Sequence, residues 1–321
     1  MALHEHDRVG ARAAPLGGPT RRHREVVDQG AGSSTLEPRR AVSGSPAPLR
    51  LMTGNEIVVE DLHKAFRGFP VLEGIDLEIP RGDMVAIVGA SGCGKTVLLH
   101  HIIAHLKPDR GRILVADHEL PGSPLVDLAT LDEMGLDRIR LHMAVVFQRN
   151  ALFSATVYEN IALWLREIKR MEEPDIRARA REALDAVGFQ GDDTVLGKDR
   201  SELSGGMAKR VAIARALAMR PRTIFFDEPT TGLDPVNASQ IHELIGVTHR
   251  GAGDGRRTTV IITHDKELLR RLEPRIVMLH RGKVHFDGPY AAFEASECEV
   301  VRPYLEAMPS LQHDTGRGAP V

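Results

Sequence analysis

Gly89-Ala90-Ser91-Gly92-Cys93-Gly94-Lys95-Thr96 is the stretch on which the reading of this chain turns. Its spacing is G-x-x-x-x-G-K-[ST], preceded by the apolar run Met84–Val88 and followed by the helical run Val97-Leu98-Leu99. That strand–loop–helix context is what a phosphate-binding loop requires. Glycines let the backbone wrap so that successive N–H groups face phosphate oxygens, and the next helix adds its positive end. Lys95 is placed to neutralise β- and γ-phosphates, and Thr96 to offer a hydroxyl to Mg²⁺. Four specified positions match by chance in roughly one chain of this length in a hundred, before the flanking context is counted.

Outward from the loop, short apolar runs alternate with helical segments. Ile57-Val58-Val59, Met84–Val88, Met143–Phe147, Thr223–Phe226 and Thr259–Ile262 read as strands covered on both faces of a parallel sheet. Helices are expected over Lys95–His105, Glu173–Val187, Gly205–Met219 and Pro235–His249. The alternation indicates a doubly wound α/β core. Residues 148–220 lack a strand pattern and read as an inserted helical subdomain.

Two further motifs have chemistry that fits a phosphate site. Thr223-Ile224-Phe225-Phe226 ends in Asp227-Glu228. Asp227 is placed to hold Mg²⁺ through its water shell, and Glu228 to polarise an attacking water as general base. Leu203-Ser204-Gly205-Gly206-Met207 opens a helix with Ser204 as N-cap and bare glycine N–H groups, a second place suited to an anion. In isolation each would read as an ordinary strand end or a capped helix.

In this order, these motifs resemble the nucleotide-binding subunit of ABC transporters over about residues 55–290. The resemblance implies a P-loop NTPase (RecA-like) α/β core with an antiparallel β subdomain and the inserted helical subdomain, binding ATP and Mg²⁺. It also implies further roles. Gln148 matches the Q-loop glutamine that senses the metal, and Gly232-Leu233-Asp234 the D-loop. His264 matches the switch histidine that contacts the γ-phosphate, and Phe66 the platform that stacks on adenine. In that family Ser204, Gly205 and Gly206 close over ATP held by a second subunit, so a homodimer with two composite sites is implied. The segment 149–167 would form part of a groove for a helix of a separate permease.

Finer features resemble the Mla- and Mce-associated ATPases that move phospholipids or other lipids, and they imply a lipid-type permease and an Mce-domain partner. These features are Met207 in place of the commoner Gln, the run Val97–Ile103, Thr156-Val157-Tyr158-Glu159-Asn160, and the tail Glu299-Val300-Val301-Arg302-Pro303-Tyr304-Leu305. In those ATPases the tail reaches across the dimer, which would dock Tyr304 on the partner. Tyr304 stands where Phe is usual, and Cys93 and Thr96 where Ser is commoner. An importer ATPase for amino acids or another polar solute is the competing assignment. A non-transport ABC ATPase acting on ribosomes or DNA is a third. It is disfavoured by the single cassette and by the absence of a heptad run.

Bulk properties agree with a protein that docks on a membrane subunit. The 321 residues are 42% hydrophobic and 27% charged, with a net charge of −2 that gives nucleic acid no electrostatic hold. No run of eighteen apolar residues exists, and the N-terminus lacks the apolar core of a secretory signal. The expected location is therefore cytoplasmic, on the inner face of the cell membrane through the permease. Two cysteines, Cys93 and Cys298, exclude a disulfide framework. Cys93, inside the loop, is expected to be an inert small residue rather than a reactive thiol. Residues 1–53, rich in Arg, Gly, Pro and Ser, read as a solvated tail, with Met52 a second candidate start. Residues 291–321 read as an extension beyond the core.

Overall fold

The computed structural model describes residues 54–251 and 256–309. The expected N-terminal tail lies outside them. Two sheets organise the described chain. Strands β1 (Asn55–Phe66), β2 (Phe69–Pro80), β4 (Arg110–Ala116) and β5 (Leu125–Asp127) pair antiparallel in the order β2-β1-β4-β5. The second sheet, in the order β10-β9-β3-β8-β7-β6, holds β3 (Met84–Val88), β6 (Met143–Val146), β7 (Thr223–Asp227), β8 (Thr258–Ile262), β9 (Arg275–His280) and β10 (Lys283–Pro289). All its pairings are parallel except that of the edge strand β10 with β9.

The continuous apolar runs have a direct cause. Along β3, Val85 and Ile87 face one buried cluster while Ala86 and Val88 face another. On β7, Phe225 joins the first cluster, and Ile224 and Phe226 the second. Successive side chains point to opposite faces, so a strand covered on both sides has no polar position. The first cluster is closed by the antiparallel sheet, through Ile57, Val59 and Leu77, and by α1 (Lys95–Ile102). The second is closed by helices α3 (Val157–Glu167), α4 (Glu173–Asp185), α5 (Gly205–Ala218), α6 (Pro235–Arg250) and α7 (Lys266–Leu272).

One expected placement needs correction. Ile57-Val58-Val59 belongs to the antiparallel sheet, where β1 pairs with β2 and β4. Both its faces are buried there too, so the apolar run alone did not tell the two sheets apart. Between β6 and β7 lie α3, α4 and α5 and no strand. Residues 301–307 form a short helix, α9, whose Val301 and Leu305 are buried in the second cluster. α2 is Glu133–Arg140 and α8 is Tyr290–Glu294.

Candidate functional site

Because β6, β3, β8 and β7 run parallel, their C-terminal ends share one edge of the sheet, the usual position of a ligand crevice in such folds. β3 delivers the loop 89–94 there, β7 delivers Asp227 and Glu228, β8 leads into Thr263 and His264, and β6 into Phe147 and Gln148.

The loop begins at Gly89, which is buried with φ 143°. A Cβ at this position would run into the Leu279 carbonyl and the Cys93 sulfur, so only glycine fits. Lys95 folds back into the loop, its Nζ donating to the carbonyls of Gly89 at 2.7 Å and Ala90 at 3.1 Å. Thr96, in the first turn of α1, is exposed, as are Ala90, Ser91 and Gly92. The thiol of Cys93 is half-buried; burial pushes its pKa up, and the Lys95 charge offsets only part of that. That supports the inert reading of the residue.

Facing the loop, Asp227 and Glu228 stand side by side. Burial, and then the neighbouring Glu228 charge, raise the Asp227 pKa. Glu228 has a left-handed backbone, φ 48°, uncommon outside glycine and frequent at working sites. Its N–H donates to Ile262 O at 2.9 Å, and its Oε1 meets His264 Nδ1 at 2.8 Å. Asp227 and Glu228 offer hard carboxylate oxygens of the kind Mg²⁺ takes, an ion that uses few protein ligands and completes its shell with water and phosphate. Accordingly, no group of three or more His, Cys, Asp or Glu among the described residues is arranged to hold a metal by itself.

Ser204 accepts from Met207 N–H at 3.2 Å and so caps α5. Asp234 caps α6, accepting from Val236 and Asn237 N–H at 3.1 and 3.0 Å and from the Asn237 amide. Asn237 lies so close to Gly206 that any side chain on Gly206 would collide with it, while Gly205 is open. A side chain at Gly206 would thus displace the Asn237 amide from Asp234. Phe66, at the end of β1, is 42% exposed with Lys64 Nζ 5.6 Å from its ring centroid.

A family model described as ABC transporter matches residues 72–231. The histidine transport ATP-binding protein of Pseudomonas aeruginosa is 39% identical over 251 residues, 77% of this chain and 96% of that protein. This chain belongs to the ABC transporter ATP-binding family. A probable ribonucleotide transport ATP-binding protein of Mycobacterium leprae is 35% identical over 257 residues, 80% of this chain and 70% of that one. Among solved structures, a dimeric ATP-binding cassette in a post-hydrolysis state with ADP and Pi is similar. It has a TM-score of 0.62 and 30% identity, over 73% of this chain and 98% of that chain. Membership makes the chain an ATPase that works with ATP and Mg²⁺.

The structure adds contacts in this chain that the motifs did not show. Lys209, 2% exposed on α5, donates to the carbonyls of Phe147 at 3.1 Å and Gln148 at 2.9 Å. Burial lowers its pKa to about 8, with the Asp227 charge pulling the other way. Two turns on, Arg215 donates to Ala151 O at 2.9 Å and Asn150 O at 3.4 Å. The helix that starts at Ser204 thus grips segment 147–151 by its backbone. Lys209 and Arg215 are plain in the sequence, but their acceptors are carbonyls, which leave no sequence signal. Asn160, noted only as part of a motif, is 1% exposed and ties the loop before α3, exchanging hydrogen bonds with Phe153 N–H and O at 2.8 and 3.2 Å. Within or just after segment 149–167, Phe153, Trp164 and Ile168 are 43–45% exposed.

Proposed function

We propose that this chain hydrolyses Mg·ATP at the composite sites of a dimer and drives a separate membrane permease. The observation that carries the proposal is the convergence at one sheet edge of the Lys95 loop, Asp227 and the Glu228–His264 pair at 2.8 Å. Loop N–H groups from Gly89, Ala90, Ser91, Gly92, Cys93 and Gly94, with Lys95, hold the phosphates. Thr96, Gln148 and Asp227 hold Mg²⁺, which when bound neutralises charge developing on the phosphate oxygens. Glu228 takes the proton of the attacking water, and His264 fixes the Glu228 carboxylate and reaches the γ-phosphate. Phe66 stacks on adenine. Ser204, Gly205, Gly206 and Asp234 act across the dimer, on ATP held by the partner.

Closure reaches the membrane through segment 149–167. Its exposed Phe153 and Trp164, and Ile168 just beyond, form the apolar contact for a permease helix, and Lys209 and Arg215 make the segment move with α5. No helix among the described residues is long and apolar enough to cross a membrane. The proposed permease contact gives the chain a peripheral place on the cytoplasmic face.

On cargo, the 39% identity to a histidine transport ATPase, across nearly all of that protein, supports import of an amino acid or another polar solute. A lipid-transport reading with an Mce-domain partner rests on a different observation. Met207 follows the signature, and residues 299–305 resemble the tail of the lipid-transport ATPases. Pull-down of the tagged chain from gently solubilised membranes, with mass spectrometry, separates the two. A solute-importer permease assigns polar cargo, and a lipid-type permease with an Mce-domain protein assigns lipid. Recovery of no membrane protein overturns the transporter proposal while leaving the ATPase intact.

A further inference from the structure

The C-terminal helix α9 does more than cover the core. Its Tyr304 oxygen accepts a hydrogen bond from Gly89 N–H of the same chain at 3.0 Å. Gly89 is the first residue of the phosphate loop, and its own carbonyl accepts from Lys95. The loop's opening residue is thus held at both polar ends, by the tail on one side and by the phosphate-binding lysine on the other. Burial pushes the Tyr304 pKa up to about 12, so the group is a neutral phenol throughout the physiological range. The helix is fixed independently of this bond, by buried Val301 and Leu305 and by Lys266 Nζ donating to Leu305 O at 3.4 Å.

We propose that Tyr304 is a positioning residue for the nucleotide, its hydroxyl pre-setting the phosphate loop for ATP. The physical need is plain. A loop with glycines at 89, 92 and 94, all at positive φ, has more backbone freedom than other sequences. Order imposed before ATP arrives is order that binding does not have to supply. A phenylalanine would pack as well against the core but leave the buried Gly89 N–H without its acceptor. The hydroxyl is what distinguishes this tail from an apolar strut. The inference rests on residues 89–96 being the ATP site.

The test compares Tyr304→Phe with the parental chain, full length, by calorimetric titration with a non-hydrolysable Mg·ATP analogue. Lys95→Ala serves as control, and the ligand-free melting temperature of each is recorded. The expected result is an affinity about three- to tenfold weaker for Tyr304→Phe, the range that loss of one neutral hydrogen bond produces, with ligand-free melting lowered by only a few degrees. Unchanged affinity in Tyr304→Phe, with weakened binding in Lys95→Ala, overturns the role of Tyr304 alone. A weakened affinity that only follows a large drop in melting temperature also overturns it, since a packing role accounts for that. Unchanged binding in Lys95→Ala removes the loop assignment itself.

Discussion

At the scale of single residues, the site depends on where short polar groups are held rather than on their number. Glu228 is the clearest case. Its backbone sits in the left-handed region, and His264 Nδ1, 2.8 Å away, holds the carboxylate. Gln has the same shape but cannot take a proton from water. Glu228→Gln is therefore expected to keep ATP binding and to lose at least about a hundredfold in turnover, the typical contribution of a positioned base. Phosphate-release and filter-binding assays check the two parts. Turnover at the parental rate would show that another group accepts the proton.

At the scale of elements, Asp265 ties three pieces of structure together. Its carboxylate caps α7 through Leu268 N–H at 3.0 Å, and accepts from Thr230 at 2.7 Å and from His242 on α6 at 2.8 Å. Burial pushes this carboxyl up, but the hydrogen bonds from His242, Leu268 and Thr230 outweigh it, and the net pKa lies below the usual carboxylate range. A depressed folded-state pKa means the unfolded chain takes up the proton first. The stabilisation is thus present above about pH 4, the ordinary value for Asp, and is lost as pH falls below it. Asp265→Ala is expected to lower unfolding free energy by about 2–3 kcal/mol at pH 7, as for a broken buried network. Urea midpoints at pH 7 and pH 3 check this, and the gap between the chains should narrow at the lower pH. A gap that stays constant would show that the charge of Asp265 contributes nothing.

For the whole molecule the question is how one chain's signature meets another chain's ATP. In the Glu228→Gln background, Mg·ATP is expected to convert monomer to dimer in light scattering. Adding Ser204→Arg should prevent that conversion while leaving nucleotide binding to the monomer unchanged, because on the proposed function this helix start closes on the partner's ATP. Loss of binding in the Ser204→Arg monomer would mean that the signature serves its own nucleotide. The grip of Lys209 and Arg215 on segment 147–151 belongs to this scale too. On the proposed function, it joins the helix start that closes on the partner to the segment offered to the permease.

Much of the site was legible in the linear sequence because its chemistry is local. The phosphate loop needs glycines at fixed offsets from one lysine, and the Asp227-Glu228 pair needs an apolar strand directly before it. The core strands were legible for a similar reason, since burial on both faces leaves an unbroken apolar run. The sequence did not distinguish Ile57–Val59 in the antiparallel sheet from the parallel strands, because both environments bury the same residue types. Nor did it show what holds the site in shape. Lys209 and Arg215 act on backbone carbonyls, which every residue has, and Tyr304 meets Gly89 across 215 positions of chain. Contacts of that kind carry no residue code or spacing, so only the tertiary structure decides them.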